Sequence, residues 1–351
     1  MSLQIKLGSH TIGTFLDPYI IAEIGVNHGG DMALAKTLIE FAHEGGAHAA
    51  KFQSYKADLI ASKNSPAYWD LSAESTTSQH ELFKKYDSFN PEDYVELKEH
   101  CDAVGIDFMS TPFDLGAVDY LDDIVSAFKI ASADITNTPL LRKVAAKNKP
   151  VLLSVGASTD DEVAFAVKVL SEAGCTNPVL LHCVLNYPTP PEHAQLALIQ
   201  GMKETWPSFS IGYSDHVAPA NGMPAMCMAA LFGASVLEKH FTHDKSLLGN
   251  DHYHAMDKDD LLKFTKELAK FRKLYGSSER NLDWEADARL HARRSIVASR
   301  DIEEGELFTE ENLILKRPGE GLGPENYDSV MGKTASKYIK QDELILRNNI
   351  L

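Results

Sequence analysis

Short apolar segments alternate with longer amphipathic stretches through most of the chain, from residue 19 to about residue 275. Short runs rich in β-branched residues predict strands, and an apolar repeat of about 3.6 residues predicts helices. The predicted strands are Tyr19–Glu23, Ala49–Gln53, Phe108–Ser110, Ala127–Ile130, Val151–Ser154, Val179–His182, Ser210–Ser214 and Ser235–Lys239. The predicted helices include Met32–Glu44, Pro91–Val104, Thr138–Asn148, Thr159–Ala173, Pro219–Phe232 and Lys258–Tyr275. Eight strands separated by helices predict an α/β fold, a (β/α)₈ (TIM) barrel.

The chain changes character after Tyr275. A charged stretch there predicts a linker with helical tendency, and from Arg293 onward short strands, glycine turns and a Pro-Gly break predict a small β-rich domain. We expect a barrel over residues 1–276, a linker over 277–291 and a β-rich domain over 292–351, which is marginal alone. The segment Ser54–Asn90 exceeds the ~12–15 residues of ordinary connections, which favours a cover over a polar ligand, with a plain surface loop as the alternative.

Composition and charge narrow the class of protein. Hydrophobic residues make up 44% and charged residues 24% of the chain, as in soluble globular proteins. No apolar run approaches the ~18–20 residues that span a bilayer, and no secretory signal is visible, so we expect a cytoplasmic protein without a membrane partner. The net charge of −16 disfavours a nucleic-acid partner. The four cysteines form no C-x-x-C pair, which favours buried free thiols.

Polar residues follow the apolar part of each predicted strand. They are Glu23 with Asn27 and His28, Lys51 and Gln53, Ser110 and Thr111, Lys129 and Ser132, Ser154, His182, Ser214 and His216, and Glu238 and His240. In barrels of this class the carboxyl ends of the strands open on one face, where catalytic residues lie. Eight polar strand ends in succession therefore predict a functional site at that face.

Two lysines, Lys51 and Lys129, lie within strands that are expected to point into the barrel. A buried ammonium group needs an anionic partner. Either each lysine pairs with an internal carboxylate, or both help to bind an anion. Hydroxyl groups at Ser132, Ser154 and Ser214 end nearby strands, and this combination suits a phosphorylated carboxylate better than a neutral sugar.

Two histidines, His216 and His240, end adjacent predicted strands. Each alone is more typical of a hydrogen-bonded core residue, but together, beside Glu23 and Asp251, they predict a site for Mn²⁺, Fe²⁺, Co²⁺ or Zn²⁺ rather than Ca²⁺. Such a cation would polarise an aldehyde oxygen. Glu23 would orient water or move a proton, and a salt bridge to Lys51 or Lys239 is its alternative role.

Several stretches resemble the N-acetylneuraminate (sialic acid) synthase family, which includes the legionaminate, pseudaminate and spore-coat polysaccharide types. The matching stretches are IIAEIGVNHGGDMALAKTLI, AAKFQSYKA, IDFMSTPFDLGAVDYL, FKIASADITNTPLLR, KPVLLSVGAST, LLHCVLNYPTPPE, IGYSDH and GASVLEKHFTHDK. The tail RRSIVASRDIEEGELFTEENLILKRPGEGLGP resembles the antifreeze-like (SAF) domain of that family. The matches cover nearly the whole chain in order.

The resemblance implies a transferase that condenses phosphoenolpyruvate with an aldose, such as N-acetylmannosamine or a dideoxy analogue, to give a nonulosonic acid and phosphate by C–O cleavage. It also implies a divalent metal, Mn²⁺ before Mg²⁺, Co²⁺ or Zn²⁺. The resemblance assigns the metal to His216 and His240, phosphoenolpyruvate to Lys51, Lys129, Ser132, Ser154 and Ser214, catalysis to Glu23 with the two lysines, and the acceptor sugar to Gln53, Tyr187 and Asp251.

The resemblance further implies a domain-swapped homodimer, in which Arg317 of one tail reaches the partner's barrel, and a role in surface or spore-coat polysaccharide biosynthesis. The chain departs from the family pattern at Leu185, at Tyr253–Met256 and in the stretch between His216 and His240, which is a few residues longer than usual; all three lie on the acceptor side. Two other functions stay open. One is a Schiff-base aldolase with Lys51 or Lys129 as the amine. The other is a sugar-binding protein without catalysis, for which the barrel mouth would lack convergent charges.

Overall fold

The computed structural model describes residues 4–69, 71–72, 74–249 and 251–351. The chain divides into two compact units, Met1–Tyr275 and Gly276–Leu351. Among the described residues, no helix is both long and apolar enough to cross a membrane.

The first unit is a barrel of eight parallel strands, preceded by an antiparallel hairpin. The hairpin strands are β1 (Ile5–Leu7) and β2 (His10–Ile12). The barrel strands are β3 (Tyr19–Gly25), β4 (Ala49–Ser54), β5 (Asp107–Pro112), β6 (Phe128–Ile130), β7 (Val151–Ser154), β8 (Val179–Cys183), β9 (Ile211–Asp215) and β10 (Val236–His240). Their order is β5-β4-β3-β10-β9-β8-β7-β6, and β5 also contacts β6, so the sheet curves round to meet itself. The predicted (β/α)₈ architecture is confirmed.

Helices alternate with the strands of this barrel. They are α1 (Met32–Gly45), α2 (Ala57–Ile60), α3 (Gln79–Tyr86), α4 (Pro91–Val104), α5 (Leu115–Asp122), α6 (Thr138–Ala145), α7 (Asp160–Glu172), α8 (Leu198–Thr205), α9 (Pro224–Leu231) and α10 (Lys258–Tyr275). Local sequence fixes several ends: Asp31 accepts hydrogen bonds from the first amides of α1, and Gly46 ends it with a φ of 90°. The long segment between Ser54 and Asn90 is partly helical, because it contains α2 and α3.

Alternation along the strands separates two layers of core. Residues such as Ile20 and Ala22 pack in the large cluster beneath the helices. Their neighbours Tyr19 and Ile21 belong to a second cluster, which Leu7 and Ile12 of the hairpin also join. Successive side chains of a strand point to opposite faces, so the second cluster is the apolar interior of the barrel. The next residues of the same register, towards the carboxyl ends, line the barrel mouth.

The second unit has a small core of its own. Helix α11 (Ala286–Ala292) precedes strands β11 (Ser295–Ala298) and β12 (Leu313–Lys316), which pair antiparallel. A short helix, α12 (Tyr327–Val330), follows. The core contains Ile296, Phe308, Val330, Ile339 and Ile345. The predicted β-rich character of the tail is confirmed, although much of its pairing consists of isolated bridges such as Ile302 with Ile339.

Candidate functional site

The interior register of the barrel changes from apolar to polar at the carboxyl ends of the strands. In several strands a polar residue lies two positions beyond an apolar one of the same register: Glu23 after Ile21, Lys51 after Ala49, Lys129 after Ala127, Ser154 after Leu152 and Glu238 after Val236. His240 lies two positions beyond Glu238. Two polar strand ends from the predicted set belong to the opposite register. His182 bonds to the carbonyl of Ala194 and stacks on Tyr213, and Ser110 bonds to Ser54. They therefore lie outside the mouth.

Two lysines and two glutamates form a buried ionic cluster in this mouth. Lys51 contacts Glu23, and its Nζ lies 3.6 Å from Oε2 of Glu238. Nζ of Lys129 lies 3.5 Å from Oε1 of the same Glu238. The four side chains are nearly inaccessible to solvent, at 2–7%. Of the two predicted alternatives, pairing with internal carboxylates is therefore realised for both lysines. Sequence reasoning identified the lysines but did not assign a role to Glu238.

Burial and neighbouring charges displace the pKa values of this cluster in different directions. Burial raises the pKa of Glu23 above its ordinary value, although Lys51 opposes the shift. Burial also lowers the pKa of Lys129, with Glu238 opposing. The pKa of Lys51 is raised, because Glu23 and Glu238 together outweigh the effect of its burial. Glu23 is thus a carboxyl group that keeps its proton to a higher pH than an exposed one.

The three serines differ in how far their hydroxyl groups are engaged. Ser214 donates to Oε1 of Glu238 at 3.1 Å, and Ser132 accepts from the amide of Gly156 at 2.9 Å. Ser154, only 2% exposed, has a hydroxyl group without a hydrogen-bond partner among the described residues. An unsatisfied buried hydroxyl costs roughly 1–3 kcal/mol. Such a group suits a ligand oxygen.

Histidines gather beside the ionic cluster. The rings of His216 and His240, the two predicted metal ligands, lie 5.4 Å apart between centroids. Nδ1 of His216 lies 2.7 Å from the carbonyl oxygen of Val184, and donation there leaves Nε2 with its lone pair. His240 Nδ1 lies 3.7 Å from Oδ2 of Asp251.

The structure adds His254 to this group. One ligand atom each from His240, Asp251 and His254 lies within 4.8 Å of the others. His254 is fully buried, and its ring lies 4.8 Å from that of His240. Sequence reasoning did not include His254 in this group, because His254 lies in a loop rather than at a strand end. The available signal was the unexpected Tyr253-His254 pair in the stretch that departs from the family pattern.

The donor set fits a divalent transition metal. Burial and the nearby histidines lower the pKa values of His240 and His254 well below the ordinary value, so both rings are neutral at pH 7. Nδ1 of His240 and both nitrogens of His254 have no hydrogen-bond partner among the described residues. Neutral imidazoles beside a carboxylate suit Mn²⁺, Fe²⁺, Co²⁺ or Zn²⁺. The predicted metal site therefore has suitable donors, with a wider choice of ligands than the two histidines alone.

An open cleft adjoins the histidines on the side predicted for the acceptor sugar. Its cavity volume is about 50 Å³, and it is lined by Asn27, Gln53, Tyr55, Phe83, Tyr86 and Asp251, among others. Gln53 donates to Oε1 of Glu23 at 2.9 Å. Burial, and to a smaller extent the negative charge of Glu23, raises the pKa of Asp251 to about 7. Tyr187 lies 4.2 Å from His216 between ring centroids, so it is close to the histidine group.

Arg317, the predicted tail residue, belongs to the second unit. It precedes Pro318 across a cis peptide bond and is exposed to solvent. Its assignment to a partner's barrel remains a prediction.

Comparisons with family models and with known proteins indicate the same family. The NeuB family model matches residues 38–280, and the SAF domain model matches residues 293–351. An N,N'-diacetyllegionaminic acid synthase of Campylobacter jejuni is 38% identical over 332 residues, which are 93% of this chain and 98% of that protein. The spore coat polysaccharide biosynthesis protein SpsE of Bacillus subtilis is 33% identical, with 99% of this chain and 97% of that one covered.

A solved structure gives the same result. The N-acetylneuraminic acid synthetase of Leptospira borgpetersenii, crystallised in complex with citrate, has a TM-score of 0.71 and 34% identity, over 82% of this chain and 97% of that one. With a barrel of the expected topology and a family match over more than half of its length, the chain belongs to the NeuB family.

Proposed function

We propose that this enzyme condenses phosphoenolpyruvate with the aldehyde of an open-chain N-acylated aminosugar. The products are a nonulosonic, sialic-acid-like α-keto acid and inorganic phosphate. The proposal depends on one observation: the buried ionic cluster and the histidine group adjoin each other. His240 is the register neighbour of Glu23, and Glu23 in turn contacts Lys51.

The ionic cluster supports the binding of phosphoenolpyruvate. Lys51 and Lys129 provide two ammonium groups at the bottom of the mouth, and Ser154 provides a hydroxyl group that lacks a protein partner. Glu238 balances the lysines in the structure. We propose that the carboxylate and phosphate of the substrate share these ammonium groups with Glu238, and that Ser132 and Ser214 contribute further hydroxyl groups.

The reaction needs one new carbon–carbon bond and one broken carbon–oxygen bond. C3 of the enolpyruvate attacks the aldehyde carbon, water adds at C2, and the tetrahedral intermediate releases phosphate together with its bridging oxygen. A divalent cation bound by the histidine group would polarise the aldehyde oxygen. Glu23, whose pKa is raised by burial and whose Oε1 is fixed by Gln53, is placed to hold or move the proton of the attacking water.

The acceptor is proposed as an N-acylated aminosugar, because a relative at 38% identity is named an N,N'-diacetyllegionaminic acid synthase. Gln53, Asp251 and Tyr187 would bind it. A panel of aldoses that includes N-acetylmannosamine and dideoxy diacetamido analogues would identify it from phosphate release and product mass. By the same resemblance we propose a role in surface or spore-coat polysaccharide biosynthesis, and a domain-swapped homodimer in which Arg317 of one chain completes the other chain's site.

An isotope experiment tests the reaction type. Phosphoenolpyruvate labelled with ¹⁸O in the C–O–P bridge should yield labelled phosphate and an unlabelled keto acid. Release should require both the aldose and a divalent metal, because the aldehyde is the electrophile. Phosphate release without the aldose, or an unlabelled phosphate, would contradict the proposal.

One observation favours a second candidate, a Schiff-base aldolase: burial lowers the pKa of Lys129, as an amine nucleophile requires. Borohydride added in the presence of pyruvate would trap an adduct on Lys129 in that case. The condensing enzyme should form no adduct, and its activity should be lost on chelation of the metal.

A further inference from the structure

The hydrogen bonding of His254 is unusual for a buried histidine. It is 0% exposed, and neither ring nitrogen has a hydrogen-bond partner among the described residues. A neutral imidazole has one donor and one acceptor, and both normally find partners when the ring is buried. The described part of the chain therefore leaves two polar atoms of one side chain unexplained.

The loop that carries His254 is fixed on both sides. The amide of Met256 donates to the carbonyl of His240 at 2.8 Å, and the amide of Thr242 donates to the carbonyl of Met256 at 3.0 Å. Asn27 donates to the carbonyl of Asp251 at 3.2 Å, and so ties the other part of the loop to the end of β3. These backbone-directed bonds hold His240, Asp251 and His254 together, in addition to the 3.7 Å approach of His240 Nδ1 to Asp251 Oδ2. Preorganisation of this kind is what a ligand set needs.

Ring packing is the competing explanation. The ring of His254 lies 5.2 Å from that of Tyr253 and 5.5 Å from that of Tyr187, so it fills space between two tyrosines. Packing alone would be satisfied by a phenylalanine, however, and it gives the two nitrogens no partner. A bound cation would engage one nitrogen directly.

We propose that His254 is a protein ligand of the divalent cation, beside His240 and Asp251. The inference rests on the metal dependence of the proposed function and assigns the cation a ligand outside the predicted pair of histidines. Two imidazoles and one carboxylate form a set that favours Mn²⁺, Fe²⁺ or Co²⁺ and leaves open positions for water and a substrate oxygen. The same set disfavours Mg²⁺, which prefers oxygen ligands.

Metal binding without substrate tests this assignment. The metal-free full-length protein is titrated with Mn²⁺, and free Mn²⁺ is read from its electron paramagnetic resonance signal. His254→Phe retains the ring and removes both nitrogens, and His254→Ala removes the ring as well. The control is His243→Ala, an exposed histidine in the segment that follows β10. Loss of a hydrogen-bond partner of a metal ligand weakens binding about 10–100-fold, so loss of a ligand should weaken it at least about tenfold.

The expected result is weaker Mn²⁺ binding in both His254 variants and unchanged binding in the control. Equal Mn²⁺ affinity in His254→Phe and the unaltered protein would overturn the assignment while leaving the proposed reaction intact. If the unaltered protein binds no divalent cation, the metal dependence of the proposed function fails as well.

A measurement on the unaltered protein guards against variants that do not fold. Crystals soaked in Mn²⁺ should give an anomalous difference peak at ligand-bond distance from a nitrogen of His254. A peak bonded to His216 and His240, with His254 out of reach, would refute the inference and retain the metal.

Discussion

Replacing Glu238 by glutamine should destabilise the barrel strongly, because this carboxylate contacts both buried lysines. The variant keeps the size of the side chain and an oxygen for Ser214 to bond, and it removes the charge. Lys51 retains Glu23 as a partner. Lys129 is left with its carbonyl contact at Ile130, 3.4 Å away, and so becomes a buried ammonium without a counter-charge.

Removing one partner of a buried ion pair costs about 3–5 kcal/mol. At about 2 °C per kcal/mol for a unit of this size, the melting temperature should fall by about 6–10 °C. Differential scanning calorimetry of the ligand-free protein at pH 7.5 measures the change. The matched control is Glu267→Gln, which breaks an exposed pair with Lys270 and should cost no more than about 1 kcal/mol.

Two further measurements separate this explanation from simple misfolding. Adding Lys129→Met to Glu238→Gln removes the stranded ammonium and should restore much of the lost stability. Burial alone would raise the pKa of Glu238, but Lys129 and Lys51 lower it below the ordinary 4.5. Its contribution is therefore complete above pH 4.5 and is lost as the pH falls through the lowered value, so the difference between the two proteins should shrink in acid. A melting temperature within 2 °C of the Glu267→Gln control at pH 7.5 would refute the reasoning.

Three other predictions concern separate parts of the chain. Ser154→Ala should raise the KM for phosphoenolpyruvate about tenfold, which is the effect of losing one hydrogen bond to a charged ligand. The melting temperature should not fall, since the hydroxyl group has no partner among the described residues. An unchanged KM would show that Ser154 does not contact the substrate. Burial lowers the pKa of His48 to about 4 from an ordinary 6.5, so the stability it contributes is lost as the pH falls from about 6.5 towards 4. His48→Gln should show a shallower loss of melting temperature over that range, and equal slopes would contradict this. For Arg317, co-expression of Arg317→Ala with Lys129→Met, each inactive alone, should restore about a quarter of the activity if the site is shared between chains; no recovery in proven mixed dimers would exclude sharing.

The barrel and much of its mouth can be predicted from the sequence, because both follow from local alternation of apolar and polar residues. A strand that reads Tyr19, Ile21, Glu23 on one face carries an apolar interior and then a polar end, whatever its neighbours are. The same rule placed Lys51 and Lys129 inside. The rule did not predict the orientation of His182. The strand register in the structure shows that this side chain faces outward and stacks on Tyr213.

Which of these groups meet depends on contacts between segments that are far apart in the sequence. The pairing of Glu238 with lysines from two other strands depends on the strand order around the barrel, which no single segment encodes. His254 joins the histidines because its loop folds back and bonds to β10 through Met256, a contact between segments rather than a local pattern. Periodicity determines the face of a strand on which a side chain lies, whereas loop packing determines which groups it contacts there.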